Sequence, residues 1–170
     1  MPRSRLTIFS FPPPVQPVCW LLLISMTLNV GCDSEPEEQQ SHYPLRIGPA
    51  TMQAELALDP ATQQKGLMYR ESLGVNEGML FVSESPRPHS FWMRNTSIPL
   101  DIGFFSADGI LREVYPLFPR VEEPVQSRRD DIVFALETNR GWYKENGVRV
   151  GDTLDLEMVR KAMRAMTMGR

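Results

Sequence analysis

Beyond residue 43 the chain alternates apolar and polar positions in short blocks. Leu45 and Ile47, then Met52, Ala54, Leu56 and Leu58, recur at every second position on either side of Gly48-Pro49. Period two belongs to half-buried strands, because successive side chains point to opposite faces, and Gly-Pro divides the run into two. Ile98, Leu100, Ile102 and Phe104 predict one apolar face of a later strand, with Pro99, Asp101, Gly103 and Phe105 on the other. Met79-Leu80-Phe81-Val82 is apolar without a break and reads as a short buried strand. Ser106-Ala107-Asp108-Gly109 predicts a hairpin turn whose glycine takes the positive φ, with Ile110 to Tyr115 as the return strand. Ile132, Phe134 and Leu136 then oppose Val133, Ala135 and Glu137. Val148 and Val150 run into a Gly151-Asp152 turn, and Leu154, Leu156 and Met158 predict a last strand.

Two short helices interrupt these strands. Asp59 is suited to cap a helix and Pro60 to open it, with Gln63, Leu67 and Arg70 near one face. A glycine inside a helix costs roughly 1 kcal/mol against alanine, so Gly66 points to another backbone packed close by. Thr138 is placed to cap a second helix through Gly141 to Glu145, which Asn146-Gly147 ends. From Pro116 to Asp130 there is no periodicity, which predicts a lid, a binding loop or a disordered segment. These elements, about seven short strands and two helices, make a small single α+β domain over residues 44–158 with an antiparallel, barrel-like sheet. Residues 159–170 form a basic, Met-rich tail. Val159, Met163 and Met166 lie at helical spacing among Arg160, Lys161 and Arg164, as in a surface helix or a segment that touches anionic lipid.

Residues 1–31 read as a lipoprotein-type signal peptide. Arg3 and Arg5 give a positive start, and Val18 to Val30 an apolar run of about 13 residues, short for a bilayer span. The run ends at Gly31-Cys32, where a bacterial lipoprotein is cleaved and the cysteine lipidated; an ordinary secretory signal or an uncleaved anchor is the alternative. Residues 32–43, acidic and poor in apolar side chains, form a flexible tether. The expectation is an exported domain, anchored to the membrane by its N-terminal lipid in the bacterial envelope and facing the periplasm. Cys19 leaves with the signal, so no thiol remains in the domain for a disulfide or for catalysis. Taking the two positive charges of Arg3 and Arg5 from the formal net charge of −3 leaves −5, which argues against nucleic acid as a partner.

Five motifs occur in order: Gly66-Leu67-Met68-Tyr69-Arg70, Glu77-Gly78-Met79-Leu80-Phe81, Phe91-Trp92-Met93-Arg94-Asn95-Thr96, Ile98-Pro99-Leu100-Asp101 and Gly147-Val148-Arg149-Val150-Gly151-Asp152. Together they resemble the DUF192 family over roughly residues 44–158. The resemblance implies a small, often exported domain with a compact β-rich fold and a barrel-like sheet. It implies no activity.

The polar residues brought near the apolar centre are Arg70, Arg94, Asn95, Thr96, Asp101 and Glu137, and these are the candidate ligand-binding residues. If the protein is an enzyme, Asp101 and Glu137 are its candidate catalytic pair, serving as general acid and base across one cleft. Alternatively the two carboxylates pair with Arg70 and Arg94 as plain ion pairs, or leave an arginine to grip an anion. Trp92 and Trp142 are expected in the core. Met68, Met79 and Met93 can in principle hold Cu(I), although core packing explains them without a metal. His42 and His89 make no metal set, there is no phosphate or dinucleotide fingerprint, and no Ser-His-Asp order stands out, so no cofactor is expected. The expected function is a binding or accessory domain for a small polar ligand, a glycan or a protein; the alternative is a hydrolase of envelope polysaccharide.

Overall fold

The computed structural model describes residues 42–168. The expected signal peptide, Cys32 and nearly all of the tether therefore lie outside the described residues. In chain order the elements are β1 (Tyr43–Ile47), β2 (Ala50–Ala57), α1 (Pro60–Lys65), β3 (Glu77–Val82), β4 (Ser90–Phe91), β5 (Leu100–Ser106), β6 (Leu111–Leu117), β7 (Val125–Gln126), β8 (Ile132–Asn139), α2 (Trp142–Glu145) and α3 (Leu156–Met168). Tyr43 already pairs with Ala54, so the strand begins inside the expected tether.

Six strands form one sheet in the order β1-β2-β3-β8-β5-β6, and β4 and β7 form a separate two-stranded ribbon. The α+β class is as expected, but the sheet is mixed and open. β3 runs parallel to β2, because α1 carries the chain back to the starting end, as a parallel pair requires. β1 and β6 remain edges, approached at one end by Thr153 and Leu154, which bridge to Ile110 and Ile47.

The two faces of the sheet carry separate apolar clusters. Leu56, Leu80, Phe105 and Leu136 belong to the first, which Trp142 and Tyr143 of α2 and Val159 and Ala162 of α3 cover. Leu100, Ile102, Phe104, Met79 and Ala135 belong to the second, covered by Leu67, Met93 and Ile98 from the connecting chain. The alternation expected of β5 is thus what divides the core. On β8 the expected alternation fails at Ile132, which joins the second cluster while Phe134 and Leu136 lie in the first. A register shift between Phe105 and Ser106 accompanies the change of side.

Helix boundaries differ from the expectation at three places. Asp59 does cap α1, accepting from the Thr62 N–H at 3.0 Å, but the helix stops at Gly66 with φ 49°. What a Cβ there would meet is the Phe81 ring at 3.4 Å, and no backbone lies as near. Thr138 is fully buried within β8 and caps nothing; α2 starts from Gly141 at φ 88°. The expected last strand is instead the start of a third helix. Asp155 accepts from the amides of Glu157 and Met158 at 3.1 and 3.2 Å and pairs with Arg46 at 2.6 Å, which caps α3 and fastens it beside β1. Leu156 and Met158 follow a helical period, not a strand's, with Val159 and Ala162 buried.

The stretch 116–130 is held in place. β6 extends to Leu117, and Val125–Gln126 pairs with Ser90–Phe91. No helix of the described residues is long and apolar enough to cross a membrane.

Candidate functional site

Three connecting segments meet above the second face of the sheet: residues 67–70, 92–97 and 118–121. Their main chains hold one another directly. The Tyr69 amide donates to Asn95 O at 2.9 Å, Met93 to Val121 O at 2.9 Å, and Arg120 to Thr96 O at 3.0 Å. Side chains add to this: Asn95 Nδ2 donates to the Tyr69 hydroxyl at 2.8 Å, and Ser97 Oγ to Arg70 O at 3.1 Å. Each segment carries one non-glycine residue in the left-handed region, namely Tyr69 (φ 65°), Asn95 (φ 56°) and Arg120 (φ 61°). No other non-glycine residue among the described residues has a positive φ. Such backbones cost of order 1 kcal/mol or more each and persist where the surroundings fix them.

This strained junction presents large apolar side chains to solvent. Tyr69 is 74% exposed, Phe118 56% and Trp92 42%. The guanidinium of Arg94 lies 5.5 Å from the centre of the Trp92 ring, and that of Arg140 lies 4.6 Å from Phe118. Aromatic faces backed by cations can receive sugars, peptides and other flat or polar partners.

Under the loops lies a row of side chains across four strands. Glu55, Met79, Glu137 and Ile102 are successive cross-strand partners on β2, β3, β8 and β5, so all four project to one face. Glu55 takes both arms of Arg70, at 2.6 Å each, and His42 Nε2 stands 3.4 Å from the same carboxylate. Two places along, Glu137 is buried with no hydrogen bond or ion pair among the described residues. Burial alone pushes its carboxyl up to about 8.

The sequence candidates are distributed over this arrangement unequally. Arg70, Asn95 and Thr96 come together at the junction. Thr96 is buried, its amide donating to Met93 O, and it serves the turn more than a surface. Arg94 is exposed on the Trp92 ring. Asp101 lies opposite Thr138 while Glu137 lies opposite Ile102, so neighbouring rungs send the two carboxylates to opposite sides of the sheet. Asp101 is held by Arg140 at 3.0 Å and by the Gly141 amide at 2.7 Å, where it anchors the start of α2. Neither carboxylate pairs with Arg70 or Arg94, and Glu137 has no arginine at all among the described residues.

Trp142 is buried as expected, whereas Trp92 is half exposed, because its neighbours Met93 and Phe91 take the inward positions. Met79 and Met93 are buried in the second cluster. Glu55 and Arg140 were not among the sequence candidates. Glu55 falls on the polar positions of β2, and only the folding of the 66–74 segment over that face buries it. Arg140 follows β8 with no local pattern to mark it.

The profile of the DUF192 family, described as uncharacterised ACR, matches residues 44–156. The chain belongs to the DUF192 family. The match spans all the segments that build the loop junction and the row beneath it. Two solved structures are similar at full-domain scale. A proposed transcription regulator from Sinorhizobium meliloti 1021 is 35% identical with a TM-score of 0.64, covering 68% of this chain and 94% of that one. A protein of unknown function from Novosphingobium aromaticivorans DSM 12444 is 34% identical with a TM-score of 0.66, covering 71% and 89%. No curated protein matches the chain. A domain of this fold therefore occurs in proteins of Sinorhizobium meliloti and Novosphingobium aromaticivorans, and the family description states no chemistry.

Proposed function

We propose that this DUF192 protein is a binding or accessory domain of the bacterial envelope, recognising a small polar ligand, a glycan or a protein through the three-loop junction. The supporting observation is the meeting of Tyr69, Asn95 and Arg120, three left-handed residues on three mutually hydrogen-bonded segments that hold aromatic rings out to solvent. A stable fold has no need of this arrangement, whereas a rigid recognition surface does, since preorganised loops lose little freedom on binding. Arg94 on Trp92 supplies charge at the rim, and the buried Arg70–Glu55 pair underneath fixes the 67–70 segment. In this reading the N-terminal lipid at Cys32 keeps the domain at the membrane, facing the periplasm. The description of the Sinorhizobium protein suggests regulation of transcription, but the net charge of −5 expected for the processed chain opposes a nucleic-acid surface. Asp101 and Glu137 sit on neighbouring rungs and opposite faces of the sheet, which weighs against the alternative of a hydrolase built on that pair.

Tryptophan fluorescence tests the proposal. In the processed protein Trp92 is half exposed and Trp142 buried, so a change in emission on titration with soluble peptidoglycan fragments reports the junction. Saturable quenching that Trp92→Phe abolishes and Arg94→Ala weakens is the expected result for a glycan. If peptidoglycan fragments, envelope polysaccharides and crosslinked envelope proteins all leave Trp92 and the surrounding amide resonances unmoved, the junction is not a recognition surface.

A further inference from the structure

A second site lies beside the ribbon and shares only Trp92 with the recognition surface. A surface cavity of about 350 Å³ is lined by Ser83, Arg87, His89, Gln64, Phe91 and Trp92, among others. In it Ser83 Oγ stands 3.0 Å from His89 Nε2. A hydrogen bond to the Ile132 carbonyl acts on the same imidazole. In the tautomer that carries its proton on Nδ1, Nε2 is the acceptor and Ser83 donates its proton toward His89.

The histidine is held from several sides. Its amide donates to Ser127 Oγ at 2.9 Å, and its carbonyl accepts from the Ser127 amide at 2.9 Å. Ser127 Oγ in turn donates to Arg129 O at 3.0 Å, and the ring lies near-parallel to Phe91 with centres 6.3 Å apart. Ser83 is fixed by its own amide, which donates to Val133 O at 2.9 Å. Burial, helped by Arg87, lowers the His89 pKa, so the imidazole is a neutral base at pH 7.

We infer that Ser83 and His89 form a nucleophile and base that hydrolyse small carboxylic esters in this cavity. Hydroxyl and base are within the reach such pairs need, with a third group orienting the base. Phe91, Trp92 and Pro88 give the cavity an apolar wall for a short acyl chain, and its volume suits a small substrate. The side chains of Arg87 and Gln64 line the same space with no partner among the described residues, and they are the donors available to the oxyanion.

The chemistry is a two-step acyl transfer. Ser83 Oγ bonds to the ester carbonyl carbon as its proton moves to His89 Nε2. The bond from that carbon to the leaving oxygen then breaks, and Nε2 returns the proton to the departing alcohol. Water repeats the sequence on the acyl-serine: its oxygen bonds to the carbonyl carbon and a proton passes to Nε2. The bond to Ser83 Oγ then breaks, Ser83 recovers the proton, and the carboxylic acid leaves. The inference does not depend on what the three loops recognise.

The test is labelling of the full-length protein with a fluorophosphonate, followed by peptide mass mapping, together with hydrolysis of p-nitrophenyl acetate. One adduct on Ser83 in the wild type is expected. Ser83→Ala should lose both the adduct and the hydrolysis at an unchanged melting temperature, and His89→Gln should slow labelling by about 100-fold. Labelling should follow one deprotonation below the usual histidine pKa. A folded wild type that gains no adduct at Ser83 overturns the inference, whatever the variants do. So does an adduct whose rate His89→Gln leaves unchanged, or esterase activity that persists in Ser83→Ala.

Discussion

Arg70 faces Glu55 as a fork, Nη1 and Nη2 each donating to one carboxylate oxygen at 2.6 Å across fifteen residues of sequence. Both side chains are largely buried, at 18% and 8% exposure. Removing one partner leaves the other charge desolvated, which is far more costly than losing a surface pair. Arg70→Ala should therefore destabilise the protein by about 3 kcal/mol in urea unfolding. Arg70→Lys should recover only part of this, because an ammonium cannot make the two parallel bonds. If the lysine variant matches the wild type, the fork geometry has no energetic role.

Glu137 makes stability depend on pH in a direction opposite to that of a paired carboxylate. Its carboxyl titrates near 4.5 in an open chain and at about 8 in the fold. Below the lower value both states are protonated and the contribution is complete. Between the two values the fold keeps a proton that the unfolded chain has released, so stability falls as the pH rises, and it levels off above about 8. Glu137→Gln is neutral throughout and lacks this slope. The two proteins should be similar near pH 4.5, with the variant more stable by a few kcal/mol near pH 9. Parallel stability curves for the two would show that Glu137 ionises freely in the fold.

The strands were readable because apolar residues alternate along them: Leu100, Ile102 and Phe104 point into one cluster and Phe105 into the other. What the period could not show is pairing. α1 is six residues long, and its role in making β3 parallel to β2 depends on where Leu67 and the chain after it pack. Leu154, Leu156 and Met158 fit period two, yet Asp155 starts a helix there by capping, and three positions are too few to separate period two from 3.6. Of the site, Arg70, Arg94, Asn95 and Thr96 were legible as a polar cluster. Glu55, the partner of Arg70, and Arg140, the partner of Asp101, were not, since both are brought in by contacts distant in sequence.

Gly103 lies against the Tyr143 ring. A methyl group there would run into the Tyr143 hydroxyl, with Cζ at 2.7 Å and Leu111 Cδ1 at 3.0 Å. The hydroxyl cannot easily withdraw, because it is buried and donates to Leu136 O at 2.9 Å. Gly103→Ala should cost about 1–3 kcal/mol by overpacking. Pairing it with Tyr143→Phe should bring back part of the loss, less the cost of the missing hydrogen bond. A double mutant whose denaturation midpoint equals the sum of the single effects would show that the clash is relieved elsewhere.

Asn95 separates two contributions at the loop junction. Its left-handed backbone is one that glycine adopts without cost and alanine does not, while its side chain ties down the Tyr69 hydroxyl at 2.8 Å. Asn95→Ala loses the tie and raises the backbone cost, for a loss of about 1–2 kcal/mol. Asn95→Gly loses the tie but relieves the backbone, so its thermal unfolding should lie closer to the wild type. Hydrogen exchange reads the local consequence. Tyr69 and Arg120 donate their amides into this junction, and both should exchange faster in either variant while amides of β5 and β8 keep their protection. Equal exchange at Tyr69 in all three proteins would mean that the main-chain bonds alone hold the loops, and that the side chain of Asn95 is left over for a partner.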